Sequence, residues 1–141
     1  MSTATFGRAG ESLLPARAGI GLRSAHLGDF LAGRPDVAFL EVHIENYFHD
    51  GGREPQALDR LRADYPVSLH GVGLALGSAE PLDRTHVARV AAAIRRFKPA
   101  LVSEHACWGR VHGEDFNDLL PLPFTEEAVH HLASRVRELQ D

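Results

Sequence analysis

Three short runs in this sequence carry the side chains best suited to chemistry: FLEVHIENYF at 39–48, PVSLHGVGLAL at 66–76 and LVSEHACW at 101–108. Each contains β-branched or large apolar residues, arrives at His or Glu, and then enters a stretch containing Gly, Asn or Asp. Imidazoles and carboxylates are the side chains that ligate divalent metals and move protons. Collecting such groups at the same end of several parallel strands is how an α/β barrel builds an active site. In the first run Leu40, Val42 and Ile44 alternate with Glu41, His43 and Glu45. A strand over 37–45 would therefore put three ionisable residues on one face, which packing alone does not explain.

The elements that must position these groups follow from periodicity and punctuation. Residues 1–18 are small and polar with no clear period and read as a flexible lead-in. An apolar run at 19–22 leads to Ser24, the expected cap of a helix over 25–32, which Gly33 and Pro35 close. A helix over 54–64 turns Leu58 and Leu61 inward. After the strand at 67–70, Gly71, Gly73 and Gly77 lie in a long loop, and Asp83 caps a helix running to Phe97. Val87, Val90, Ala91 and Ile94 share one face of that helix. A strand at 100–105 precedes a loop expected over 107–124. A last helix from Thr125 has Val129, Leu132, Val136 and Leu139 as its stripe. Four strand-helix units in series call for a parallel sheet with right-handed crossovers. A full barrel needs eight, in about 250 residues. The 141 residues here supply half a (β/α) barrel. The half stands as a fragment, pairs with a second copy, or remains an open sheet.

Composition narrows the classes of function. With 44% hydrophobic and 24% charged residues and a net charge of −4, the chain has the make-up of one globular domain and lacks the basic excess of a nucleic-acid binder. No apolar run approaches the ~20 residues of a membrane span, and no secretory apolar segment is visible near the start. The single cysteine, Cys107, rules out an intrachain disulfide, in keeping with a cytoplasmic setting. Gly71 and Gly73 lie too far from the next helix for a dinucleotide fingerprint.

Five blocks, GIGLRSAHLGDF, FLEVHIENYFHDGG, YPVSLHGVGLALGSAEPLD, VSEHACW and NDLLPLPFTEEAVHH, occur in an order that resembles the multinuclear non-heme iron-dependent oxidative enzymes, the family that includes the methanobactin biosynthesis oxidase. The resemblance runs from Gly19 to Asp141. It implies a barrel of the xylose-isomerase type with two or three iron ions at the C-terminal ends of its strands. It also implies oxidation of cysteine or other residues in a ribosomally made precursor peptide, with a partner protein presenting the leader. Members are about twice as long, and the ligands of their second half have no counterpart here.

Carried over residue by residue, the resemblance implies His43, His70 and Glu104 as metal ligands, with Glu45 as the alternative to His43. Glu45, Asn46 and His105 would stand beside the metal as catalytic groups, and Arg23 with His26 would meet the substrate. The donor types suit iron, which imidazole and carboxylate hold with open coordination positions. Gly71 and Gly73 would ease backbone approach near His70. Plainer roles are expected elsewhere: His86, His112, His130 and His131 as solvated surface, Trp108 as rim packing, Cys107 as a small buried hydrophobe, and Asp50-Gly51-Gly52 as a turn. Two other functions fit the same architecture. One is a divalent-metal isomerase or endonuclease of the xylose-isomerase type, which the Lys-poor loops disfavour. The other is a non-catalytic fragment that self-associates through its open edges, as a homodimer or with a complementing half-barrel.

Overall fold

The computed structural model describes residues 14–140. Its centre is a four-stranded sheet, β1 (Ile20–Gly21), β2 (Leu40–His43), β3 (Val67–Gly71) and β4 (Leu101–Glu104), in the order β1-β2-β3-β4. Every neighbouring pair is parallel. The crossovers carry α1 (Leu27–Gly33), α2 (Arg53–Leu61) and α3 (Arg84–Phe97), and α4 (Glu126–Gln140) comes last. This is the alternating α/β architecture of a partial (β/α) barrel. Among the described residues the sheet does not close, and β1 and β4 stand at its edges.

The alternation of β2 decides which side is core. Leu40 and Val42 are almost fully buried and join Val67 and Leu69 of β3 under the helices, against Leu27 and Phe30, Leu58 and Leu61, Val90 and Phe97. Burying each such side chain contributes about 1.5–3 kcal/mol, so this layer holds the half together. Edge-on ring pairs knit it further, Phe30 with Tyr65 at 5.6 Å and Tyr47 with Phe97 at 5.7 Å between centroids. The opposite face of the sheet carries Glu41, His43, Ser68 and His70, in register across β2 and β3. The sheet thus offers one apolar face to its helices and one polar face to the barrel interior.

Several local expectations are corrected. The second strand ends at His43, and Ile44–Tyr47 is a 3-10 turn, so Glu45 does not continue the strand alternation with His43. Ser24 opens a 3-10 turn, Ser24–His26, and makes no side-chain cap. Arg34, with φ 47°, takes the left-handed position after α1 that Gly33 was expected to serve. Asp83 does cap α3, accepting from the amides of Thr85 and His86. The largest correction is the expected loop over 107–124. It contains an antiparallel hairpin, β5 (Cys107–Val111) and β6 (Glu114–Pro121), turned at His112 and Gly113 with φ of 53° and 79°. Positive φ at both turn positions matches the twist of a two-residue hairpin. The lead-in expected over 1–18 lies outside the described residues as far as residue 13. Beyond that point Arg17 pairs with Asp36 at 3.2 Å, and the Ala18 carbonyl accepts from the Ala38 amide. No helix among the described residues is long and apolar enough to cross a membrane.

Candidate functional site at the C-terminal ends of the strands

Three imidazoles meet on the inner face. His43 and His70 are register partners on β2 and β3, with ring centroids 5.8 Å apart, and His105 follows β4 with its ring 4.7 Å from that of His70. His70 Nδ1 lies 2.8 Å from Ser103 Oγ, its register neighbour on β4. One ring nitrogen so engaged fixes the orientation of the ring and leaves Nε2 as the ring's other donor or acceptor. His43 is solvent-exposed, which leaves its ring accessible at the strand end.

The two carboxylates are placed differently. Strand alternation puts Glu104, the register partner of Gly71, on the face opposite Ser103 and His70. Glu45 reaches from the 3-10 turn to the start of the β3–α3 loop, where its Oε1 accepts from the amides of Val72 (2.8 Å) and Gly73 (2.9 Å). His86 of α3 stands behind it, with Nε2 3.7 Å from the same oxygen, and its ring meets Phe48 edge-on at 5.1 Å. At 3.7 Å that contact is an ion-pair distance, so the two amides make the closer hold.

These surroundings set the protonation of the pair in opposite directions. Burial works against ionisation of Glu45, yet the His86 contact and the Val72 and Gly73 amides prevail and bring its carboxyl down to about 2. For Glu104 burial dominates; the His105 amide opposes it, the Glu45 charge adds to it, and the carboxyl is pushed up to about 7. The glycines make the crowding possible. A Cβ on Gly71 would run into Glu104 Oε2, and one on Gly73 would lie 2.5 Å from His86 Cε1.

A cavity of about 740 Å³ opens beside His43, lined among others by Arg23, Glu41, His43, Glu45, Asn46 and His49. Arg23 and Asn46 both line this cavity. His26 does not line this cavity, and its Nδ1 accepts from the Arg23 amide at 3.2 Å. Two histidines expected as solvated surface are not: the His86 side chain is 18% exposed, and His131 Nε2 contacts the Ser78 carbonyl at 2.8 Å. Cys107 is buried, and burial pushes its thiol pKa up. Trp108 is half-buried on the hairpin, its ring edge-on to Phe116 at 6.2 Å and its Nε1 donating to the Pro121 carbonyl at 3.0 Å. Ser103 and His86 were missed by sequence reasoning. Strand alternation from Leu101 would have placed Ser103 beside His70, whereas nothing local marks His86.

The donor types at the strand ends suit iron, but among the described residues no three His, Cys, Asp or Glu side chains converge as a metal-holding group. What stands here is a row of neighbouring imidazoles on the inner face, with Glu45 and Glu104 placed apart from it. The family model described as RiPP precursor modification enzyme MbnB/TglH/ChrH matches residues 17–141. A UPF0276 protein of Vibrio parahaemolyticus is 46% identical over 123 residues, covering 87% of this chain and 43% of the relative. Similar proteins of Rhizobium meliloti (44% identical, 94% of this chain and 45% of the relative) and Acaryochloris marina (43%, 88% and 45%) match in the same way. The chain spans less than half the length of these relatives. The match over residues 17–141 shows that the chain belongs to the family of RiPP precursor modification enzymes.

Proposed function

We propose that this chain forms part of an iron-dependent oxidase that modifies cysteine in a ribosomally made precursor peptide, supplying the first strands of its barrel and part of its metal site. The observation that carries the reading is the meeting of His43, His70 and His105 at the ends of adjacent parallel strands. His43 and His70 would hold iron, with the rest of the set completed from elsewhere in the barrel; Glu104, expected as a ligand, faces away from His70 across the sheet. Two or three ions are expected in the complete site. When bound, iron would supply the redox chemistry and lower the pKa of a substrate thiol.

The chain's own residues do the rest. The Ser103 hydroxyl holds the His70 ring, and the Val72 and Gly73 amides keep Glu45 charged. Glu104, whose carboxyl burial pushes up to about 7, would take or give a proton near neutral pH. Arg23 and Asn46 on the cavity wall are placed to contact the peptide. A leader-binding partner protein would deliver that peptide. The test is elemental analysis of anaerobically purified protein, assembled with the remaining portion of a UPF0276 relative, beside His70→Ala. At least two irons per assembled barrel, largely lost in the variant, is the expected result. A folded, assembled protein without iron would overturn the reading.

A further inference from the structure

A second cavity, of about 650 Å³, lies on the other side of Glu45, between that residue and the hairpin. Its lining includes Glu45, His86, Val72 and Ala75 on one wall and Asp115, Phe116, Asp118 and Leu119 of β6 on the other. Glu45 also lines the strand-end cavity, so the two spaces share a wall.

The hairpin is built to face this space. Trp108 pairs with Leu120 and Arg110 with Asp115, which leaves residues 116–119 opposite Gly109 alone. A bulge of this kind re-aims side chains, and bulges recur next to active sites. Gly109 admits it, since a Cβ there would lie 3.2 Å from the Asp118 carbonyl. The bulge turns out Phe116 and Leu119, 48% and 42% exposed. The frame behind it is tied down. Ser78 Oγ accepts from the amides of Gly109 and Arg110, and the Glu80 carboxylate accepts from those of His112 and Gly113. His131 and Arg135 of α4 in turn hold the Ser78 and Glu80 carbonyls.

Charge selects the occupant. Arg110 neutralises Asp115 at 2.7 Å, whereas among the described residues no cation makes an ion pair with Asp118. On the shared wall Glu45 Oε2 and His86 Nε2 have no hydrogen-bond partner among the described residues. We infer that this cavity is a subsite for the substrate peptide that takes an apolar side chain with a Lys or Arg next to it in sequence. Phe116 and Leu119 receive the apolar group and Asp118 the cation. The inference rests on the proposed action on a precursor peptide and adds what that peptide must carry beside the residue that reacts.

The test is an amide NMR titration of the isotopically labelled chain with an octapeptide having Leu-Lys at its centre and Gly and Ser elsewhere, beside its Leu-Glu counterpart. The Leu-Lys peptide should shift the Phe116, Leu119 and Gly73 resonances and bind about three- to fivefold more tightly than Leu-Glu, as a rim charge pair allows. Asp118→Lys should reverse that order, and Phe116→Ala should weaken both peptides. Both sites are exposed, so neither change threatens the fold. Equal binding of the two peptides, or an order that survives Asp118→Lys, would overturn the inference. Shifts confined to His43 and Asn46 would overturn it while leaving the proposed function standing. No shift anywhere would count against both.

Discussion

Glu45 and Glu104 sit in neighbouring structure yet are driven apart, and their opposite shifts give the metal-free chain a defined pH response. Glu45 has a folded-state value near 2, below its ordinary 4.5. Its contribution to stability is complete above pH 4.5 and is lost as pH falls toward 2. Glu104 has a folded-state value near 7, above the same reference. Its protonated form is the one the fold prefers, so its contribution is complete below pH 4.5 and declines as pH rises through 7. Thermal unfolding of the metal-free chain should therefore show a Tm that falls on both sides of a maximum near pH 4.5. Glu104→Gln, neutral throughout, should flatten the decline between pH 4.5 and 7. A Tm that still drops over that interval in the variant would refute the assignment. At this scale alternation put His43 and His70 at neighbouring strand ends, whereas Glu45, expected to continue the same alternation, sits in a 3-10 turn that the local pattern did not mark. The sequence was silent on His86, whose role depends on a loop and a helix arriving at Glu45 from far along the chain.

Elements were legible where one hydrophobic period ran unbroken, and obscured where two signals competed. The third helix was readable from the Asp83 cap and the spacing of Val87, Val90 and Ile94, and the structure gives it as Arg84–Phe97. The hairpin was hidden because residues 116–119 break the alternation of β6, so the run through Glu114–Pro121 lacks the period of two that marks a strand. Its turn was the available signal, since Gly113 follows His112 between two polar-apolar stretches. Because Gly113 sits at φ 79°, Gly113→Ala should destabilise the hairpin by about 1 kcal/mol. Hydrogen exchange would show faster opening across Cys107–Val111 and Glu114–Pro121 with β2 and β3 unchanged; uniform acceleration would mean that the hairpin and the sheet open as one unit. The end of the same third helix offers a change of opposite sign. Lys98 holds φ 46° as the residue after α3, and its left-handed backbone costs an L-residue about 1–2 kcal/mol. Lys98→Gly relieves that cost and gives back part of it as unfolded-chain entropy, for a net gain of up to about 1 kcal/mol in urea unfolding. A loss of stability would show that the Lys98 side chain contributes more than its backbone conformation costs.

For the whole molecule, the asymmetry of the core makes a prediction of its own. The layer between β2, β3 and the first three helices is closed, with Leu40, Leu58, Leu69 and Phe97 at 0% exposure. At the far end α4 contributes no buried residue, Val129 is 66% exposed, and Phe124 is fully exposed. Leu101 of the edge strand β4 is 39% exposed. Unpaired strand edges and contiguous apolar surface favour association. Two occupants can satisfy them: a second copy of this chain, or the part of the family barrel that the relatives contain and this chain does not match. A parallel edge of family register would pair with its own next strand at native geometry, whereas a second copy meets it with the wrong strand order and places His70 twice about one axis. The complementing portion should therefore win. Light scattering after gel filtration should show the chain alone associating as its concentration rises, and a one-to-one complex when the remaining portion of the Vibrio parahaemolyticus relative is added. Val129→Lys should weaken both assemblies while leaving the fold intact, since Val129 buries little in the chain by itself. A monomer indifferent to the added portion at all concentrations would mean that the exposed edge is protected in solution, and the half-barrel would then have to be read as a self-sufficient sheet.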